Sequence, residues 1–276
     1  MLSTISSKVP AICGVILCLA LAIAARAVDG VVLIDQQHAL AGGVTPGDAP
    51  GFPVTISLPG IYKLSSNLTV PNADTSAIVI TSDSVTIDLN GFSILGPVSC
   101  LSDGLHATPG CTVGGVACPG GFCGSGIGVD SGNAGKLNTR VVNGTVNGMG
   151  LVGIYLDKNS RVEGVNVTSN GQYGIYTSGG EIRDVLLRAN GGNGITTSGS
   201  LIVNTRSLFN AAVGIYCGAG SYINGSIIQG NASYGIVVTA NTRYTDNLFS
   251  DNNGGGVQIS GGTSAGANTC GAAACP

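Results

Sequence analysis

One pattern governs what this chain can become: five times it spells Asn, three residues, Gly, then Ile or Val. The copies begin at Asn170, Asn190, Asn210, Asn231 and Asn252. Their glycines, Gly174, Gly194, Gly214, Gly235 and Gly256, are spaced by 20, 20, 21 and 21 residues. Gly153 extends the series back by 21 and Gly126 by another 27. A unit this short cannot bury an apolar face alone, so neighbouring units must stack. After each Gly comes a short alternating strand (IYL, IYT, ITT, IYC, IVV, VQI), and two further apolar runs separated by turn residues follow in the complete units. Three strands and three turns per unit describe one coil of a parallel β-helix. A leucine-rich repeat would need leucines that these units lack, and a left-handed β-helix needs multiples of six residues. Composition agrees: 46 Gly, no Trp and only 9% charged residues exclude coiled coils and favour strands and turns.

Stacking assigns every residue a row. Alternation points Ile127, Ile154, Ile175, Ile195, Ile215, Ile236 and Val257 inward. Two positions on, Val129, Leu156, Thr177, Thr197, Cys217, Val238 and Ile259 are also expected inward. Between them an outward row carries Tyr155, Tyr176 and Tyr216, and a second outward row carries Asp130 and Asp157. The repeated asparagines are expected to stack at a bend and bond to one another and to turn backbone.

The N-x3-G-I units, with the opening run GIYKLSSNLTV…SDSVTIDLNGFSILG, resemble the right-handed parallel β-helix proteins of the pectate-lyase-like superfold. Within it, the chain is similar to exported bacterial repeat proteins of undefined activity. The resemblance covers residues 54–262 and implies an all-β solenoid of about eight coils. It names no single activity, because the superfold hosts lyases, hydrolases, epimerases, adhesins and tailspikes. Residues 28–53 are expected to cap the first coil, 97–125 to form a cysteine-rich insertion, and 263–276 a tail.

Residues 1–27 read as a cleaved signal peptide: Lys8, an apolar run from Val9 to Ala25, and the A-x-A site Ala25-Arg26-Ala27. No later segment could span a membrane, so a secreted, periplasmic or cell-surface location is expected. The remaining nine basic and 14 acidic residues give a charge of −5, which offers no footprint for nucleic acid. In an oxidising compartment Cys100, Cys111, Cys118 and Cys123 should form two disulfides, whose pairing spacing alone leaves open, and Cys270 should pair with Cys275. Cys217, on an inward row, is expected to be a buried thiol.

The superfold's enzymes commonly work on the outer face of the strand after each Gly. Their acidic calcium clusters, outward lyase base and hydrolase or epimerase signatures are missing here, so no metal, cofactor or family catalytic residue is expected. Asp130 and Asp157, if one row apart at about 4.8 Å, could form a catalytic carboxylate pair, although both also open turns. Tyr155, Tyr176 and Tyr216 offer faces to sugar rings, and Asp103 and His106 on the insertion could overhang them. The expected function is non-catalytic binding of a polysaccharide or cell-surface glycan. The alternative is a polysaccharide lyase or glycoside hydrolase. Oligomeric state is left open.

Overall fold

A computed structural model describes residues 30–101, 110–119, 122–271 and 273–275. Residues 1–27, expected to be a signal peptide, and the insertion tip carrying Asp103 and His106 lie outside these residues. The chain winds into an all-β parallel solenoid. One wall is a nine-stranded parallel sheet running from Val54–Ile56 to Ile259–Ser260. An eighteen-stranded sheet, bent along its length, forms the rest of the coil. The opening strand Val31–Ile34 pairs in parallel with Gly60–Leu64 and adds part of a further turn, making about ten coils rather than eight. The first coils have no N-x3-G unit, so that spacing alone does not number them. A short helix, Gln36–Ala41, follows the opening strand, its first turn closed by the Asp35 carboxylate accepting from His38 N at 2.8 Å.

The core is a stack of like on like. Ile154, Ile175, Ile195, Ile215 and Ile236 are fully buried and pair in register coil to coil. Burying each contributes roughly 1.5–3 kcal/mol. From the larger sheet, Val167, Leu187 and Ile228 stack against them in the same cluster.

At the bend before this wall, the asparagines form a continuous buried ladder. Asn170 Nδ2 donates to Asn190 Oδ1 at 2.9 Å, Asn190 to Asn210 at 2.9 Å, Asn210 to Asn231 at 2.9 Å and Asn231 to Asn252 at 2.8 Å. Each Oδ1 also accepts the backbone N–H of the preceding ladder residue, at 3.0–3.1 Å. Every coil thus supplies the acceptor that its neighbour's turn needs. A second ladder, which the repeat did not announce, runs through another bend. Thr205 N donates to Ser226 Oγ, Ser226 N to Asn247 Oδ1 and Asn247 N to Asn268 Oδ1.

The repeat glycines have a steric cause rather than a conformational one. A Cβ at Gly174, Gly194 or Gly214 would lie 2.6 Å from the next coil's glycine carbonyl oxygen and 2.7–2.9 Å from a ladder asparagine's Nδ2. Three layers of structure meet where that side chain would be.

Two expected rows are corrected. The coil containing Asp130 sits two residues further along than Gly126 implied: Val129 pairs with Ile154 and Asp130 with Tyr155, so Gly128 occupies the crowded glycine position. At the other end a 3-10 turn, Asn252–Gly255, inserts two residues. Ile259 therefore pairs with Ile236, and Val257 is 63% exposed instead of inward. Gln258 then closes the ladder, its Oε1 accepting from Asn252 N and Nδ2 at 3.1 and 2.8 Å.

The disulfides join Cys100 to Cys111, Cys118 to Cys123 and Cys270 to Cys275. Strands Val98–Leu101, Gly110–Val113 and Val116–Ala117 form a small antiparallel sheet. It packs on the bend beside the ladder. A Cβ at Gly191 would lie 2.8 Å from Cys111 Sγ, and one at Gly171 2.8 Å from Cys123 Cβ. The two ladder turns under the insertion accordingly read Asn-Gly, whereas Asn210 and Asn231 are followed by Ala.

Cys217 is unpaired and fully buried, and burial pushes its thiol up to about 12. In a chain lacking residues 1–27, which hold Cys13 and Cys18, thiol reagents should label no cysteine in the native state and one after unfolding without reductant. Rapid native labelling would place Cys217 on the outer face instead.

Candidate functional site: an aromatic cleft on the nine-stranded wall

Strands Val152–Leu156 and Tyr173–Thr177 lie side by side, with Tyr155 opposite Tyr176. Strand alternation turns both rings outward from the isoleucine stack. The rings meet edge to face, with centroids 5.0 Å apart and planes at 86°. Tyr173 joins them, its centroid 6.0 Å from that of Tyr176. Together with Asn133, Gln172 and the apolar floor of Ile127, Leu151 and Val152, they line an open depression of about 200 Å³. The rings remain half-buried, apolar on their faces and polar at their tips, the combination that suits amphipathic partners.

One edge of the cleft is built by the turn after Asp130. Backbone N–H groups of Ser131 and Gly132 donate to Tyr155 O at 2.9 and 3.2 Å, laying the turn along the tyrosine. A Cβ at Gly132 would lie 2.4 Å from the Tyr155 ring, so glycine lets the ring lie flat against backbone. Burial above all, then Tyr176, Asp130 and Asp157, hold the Tyr155 phenol above its ordinary pKa. The phenol therefore stays protonated at neutral pH and presents a hydrogen-bond donor.

The two aspartates do not form the expected pair. Asp130 stands across the ladder from Tyr155, and Asp157 follows that tyrosine by two residues on the same face. The carboxylates therefore flank Tyr155 instead of facing one another. Asp130 is only 5% exposed, and both oxygens are engaged by Asn133, from N at 3.0 Å and from Nδ2 at 2.7 Å. Asp157 Oδ1 accepts from Lys158 N at 2.8 Å. Both serve their turns. Among the described residues no group of three His, Cys, Asp or Glu is placed to hold a metal ion.

Tyr216 occupies the same outward row as Tyr176, with Thr196 between them, and is 38% exposed. Two strand spacings, about 9.6 Å, separate the two tyrosines. Sequence reasoning overlooked Tyr173, Gln172 and Asn133. Tyr173 precedes the repeat glycine, outside the rows that alternation assigns, although QYGIY does place two tyrosines three residues apart.

Stacked coils of parallel strands make this a parallel β-helix protein. The family model for the right-handed β helix region matches residues 125–270, more than half of the chain, and the chain belongs to that family. Among solved structures, it is similar to the A-module of the mannuronan C-5 epimerase AlgE4 from Azotobacter vinelandii. The TM-score is 0.42 at 16% identity, over 82% of this chain and 67% of that one. No activity is carried from that likeness to this chain. No curated protein matches the sequence.

Proposed function

We propose that this is an exported β-helix protein that binds a glycan on the outer face of its nine-stranded wall without cleaving it. The observation that carries the reading is the cluster of Tyr155, Tyr173 and Tyr176 around one open cleft. Flat rings with polar tips suit sugar rings, whose faces are C–H-rich and whose edges are hydroxylated. Tyr216 extends the track by two coils. Export is supported by the leader-like residues 1–27 and by three disulfides, which persist in oxidising compartments. No helix among the described residues is long and apolar enough to cross a membrane.

Binding is favoured over turnover because Asp130, the better placed of the two carboxylates beside Tyr155, is buried and doubly bonded to Asn133. It cannot reach a glycosidic oxygen without dismantling its turn. Titration of the mature protein against a glycan array should identify a ligand whose affinity falls about two- to tenfold in Tyr155→Ala or Tyr176→Ala. That corresponds to roughly 0.5–1.5 kcal/mol per lost stacking contact. Cleavage of any bound glycan that disappears in Asp157→Asn would defeat the non-catalytic reading.

A further inference from the structure

The two walls of the solenoid differ in where they keep their cations. Of the nine basic residues after residue 27, seven lie on strands of the eighteen-stranded sheet, and none lies on the nine strands of the cleft wall. Most of the seven are already committed. Arg140 and Arg161 both reach Glu163, at 2.8 and 3.1 Å, Arg183 pairs with Glu181, and Lys63 lies 3.6 Å from Asp88. The other two, Lys136 and Lys158, sit in turns beyond the wall strands, and the ammonium of neither comes within 4 Å of the Asp130 or Asp157 carboxylate.

Anionic groups, by contrast, stand beside the cleft, next to its lining residues Tyr155 and Asn133. Asp130 and Asp157 flank Tyr155, and both act on its phenol through space, adding to the effect of burial and Tyr176. A polyuronate carries a carboxylate on each sugar. Seated on these rings it would bring that charge against two fixed carboxylates, with no guanidinium or ammonium on the wall strands to answer it. A glycan without acidic groups meets no such opposition, and its hydroxyls can use Gln172, Asn133 and the protonated Tyr155.

We infer that the cleft selects uncharged glycans and turns polyuronates away. This rests on the glycan-binding reading above and adds the ligand's charge to it. The specificity is set by opposition to the wrong ligand as much as by contact with the right one.

The test uses the mature full-length protein and matched hexasaccharides: neutral 1,4- and 1,3-linked glucans and mannans against galacturonate and mannuronate oligomers. At low ionic strength the best neutral hexamer should bind at least about tenfold more tightly than any uronate. The gap should narrow as salt rises, since exposed charges are screened beyond about 8 Å at 0.15 M. Asp157→Asn should shift the uronate-to-neutral affinity ratio toward uronates. Asp157→Lys, which reverses the charge at a half-buried turn position, should shift it further. Uronates that bind as tightly as neutral glycans, and lose affinity in Tyr155→Ala, would overturn the charge selection while leaving the glycan cleft standing. If no hexamer of either class binds and Tyr155→Ala changes nothing, the glycan reading fails and this inference falls with it.

Discussion

Asn210→Ala should lower the stability of the solenoid by about 3–4 kcal/mol, more than its small change in volume suggests. The substitution removes four hydrogen bonds at once. Asn210 Oδ1 accepts from Asn190 N and Nδ2 at 3.1 and 2.9 Å, while its Nδ2 donates to Ser207 Oγ at 3.1 Å and Asn231 Oδ1 at 2.9 Å. Asn190 Nδ2 keeps a second acceptor in Val167 O. Its backbone N–H has no replacement in a fully buried bend, and an orphaned buried donor costs about 1–3 kcal/mol. The outward, exposed Asn166 provides the control, because Asn166→Ala should change stability by less than about 0.5 kcal/mol. Urea unfolding followed by far-ultraviolet circular dichroism reads both. Equal midpoints for the two variants would show that the ladder is decoration rather than structure.

Gly214→Ala should cost roughly 2–3 kcal/mol, although it adds one methyl group and alanine is ordinarily tolerated in extended backbone. The new Cβ would lie 2.6 Å from the Gly235 carbonyl oxygen, 2.6 Å from Ile228 Cγ2 and 2.7 Å from Asn231 Nδ2. Neither the neighbouring coil's backbone nor a buried isoleucine can swing aside, so the stack itself must open, and overpacking of this kind costs about 1–3 kcal/mol. At Gly110 none of the described residues lies within 4 Å of the corresponding position, and Gly110→Ala should be silent. A silent Gly214→Ala in the same urea experiment would mean that the coils are looser than these contacts require.

Much of this architecture is legible in the sequence because a solenoid repeats its constraints. Isoleucine after each glycine, asparagine four residues before it, and the inward Cys217 all follow from one period and one alternation. What escaped that reading shares a cause: the period fails to say where a coil begins. GIGVD offers two glycines with the same alternation. A Cβ would be crowded at either, 2.4 Å from Thr75 O at Gly126 and 2.4 Å from Gly153 O at Gly128, and only the register, Val129 opposite Ile154, decides between them. The two-residue choice moved Asp130 from beside Asp157 to opposite Tyr155 and dissolved the carboxylate pair. The slip at Val257 is similar, since NNGGGV keeps the repeat's spelling while Asn252–Gly255 coils into a 3-10 turn. The second ladder was hidden because Thr205, Ser226, Asn247 and Asn268 do the same work with three residue types. The cleft was half legible: tyrosines of the outward row could be read off, but Tyr173 and the turn at Asn133 enter only through three-dimensional packing.

The insertion also bears on the order in which the coils can come together. From Ile175 onward, partners on the nine-stranded wall are separated by 20 or 21 residues until the final slip, as with Ile175 and Ile195 or Ile215 and Ile236. Across the insertion, Ile78 must find Val129, 51 residues away. Closing that longer loop costs about 0.8 kcal/mol more than joining adjacent repeats. Zippering is therefore cheapest among the later coils, and the first coils are recruited onto them. Cys100–Cys111 and Cys118–Cys123 tie off parts of the intervening chain, so oxidation shortens the distance that the early coils must search. In a chain built from identical short steps, these two bridges act where the one long step occurs.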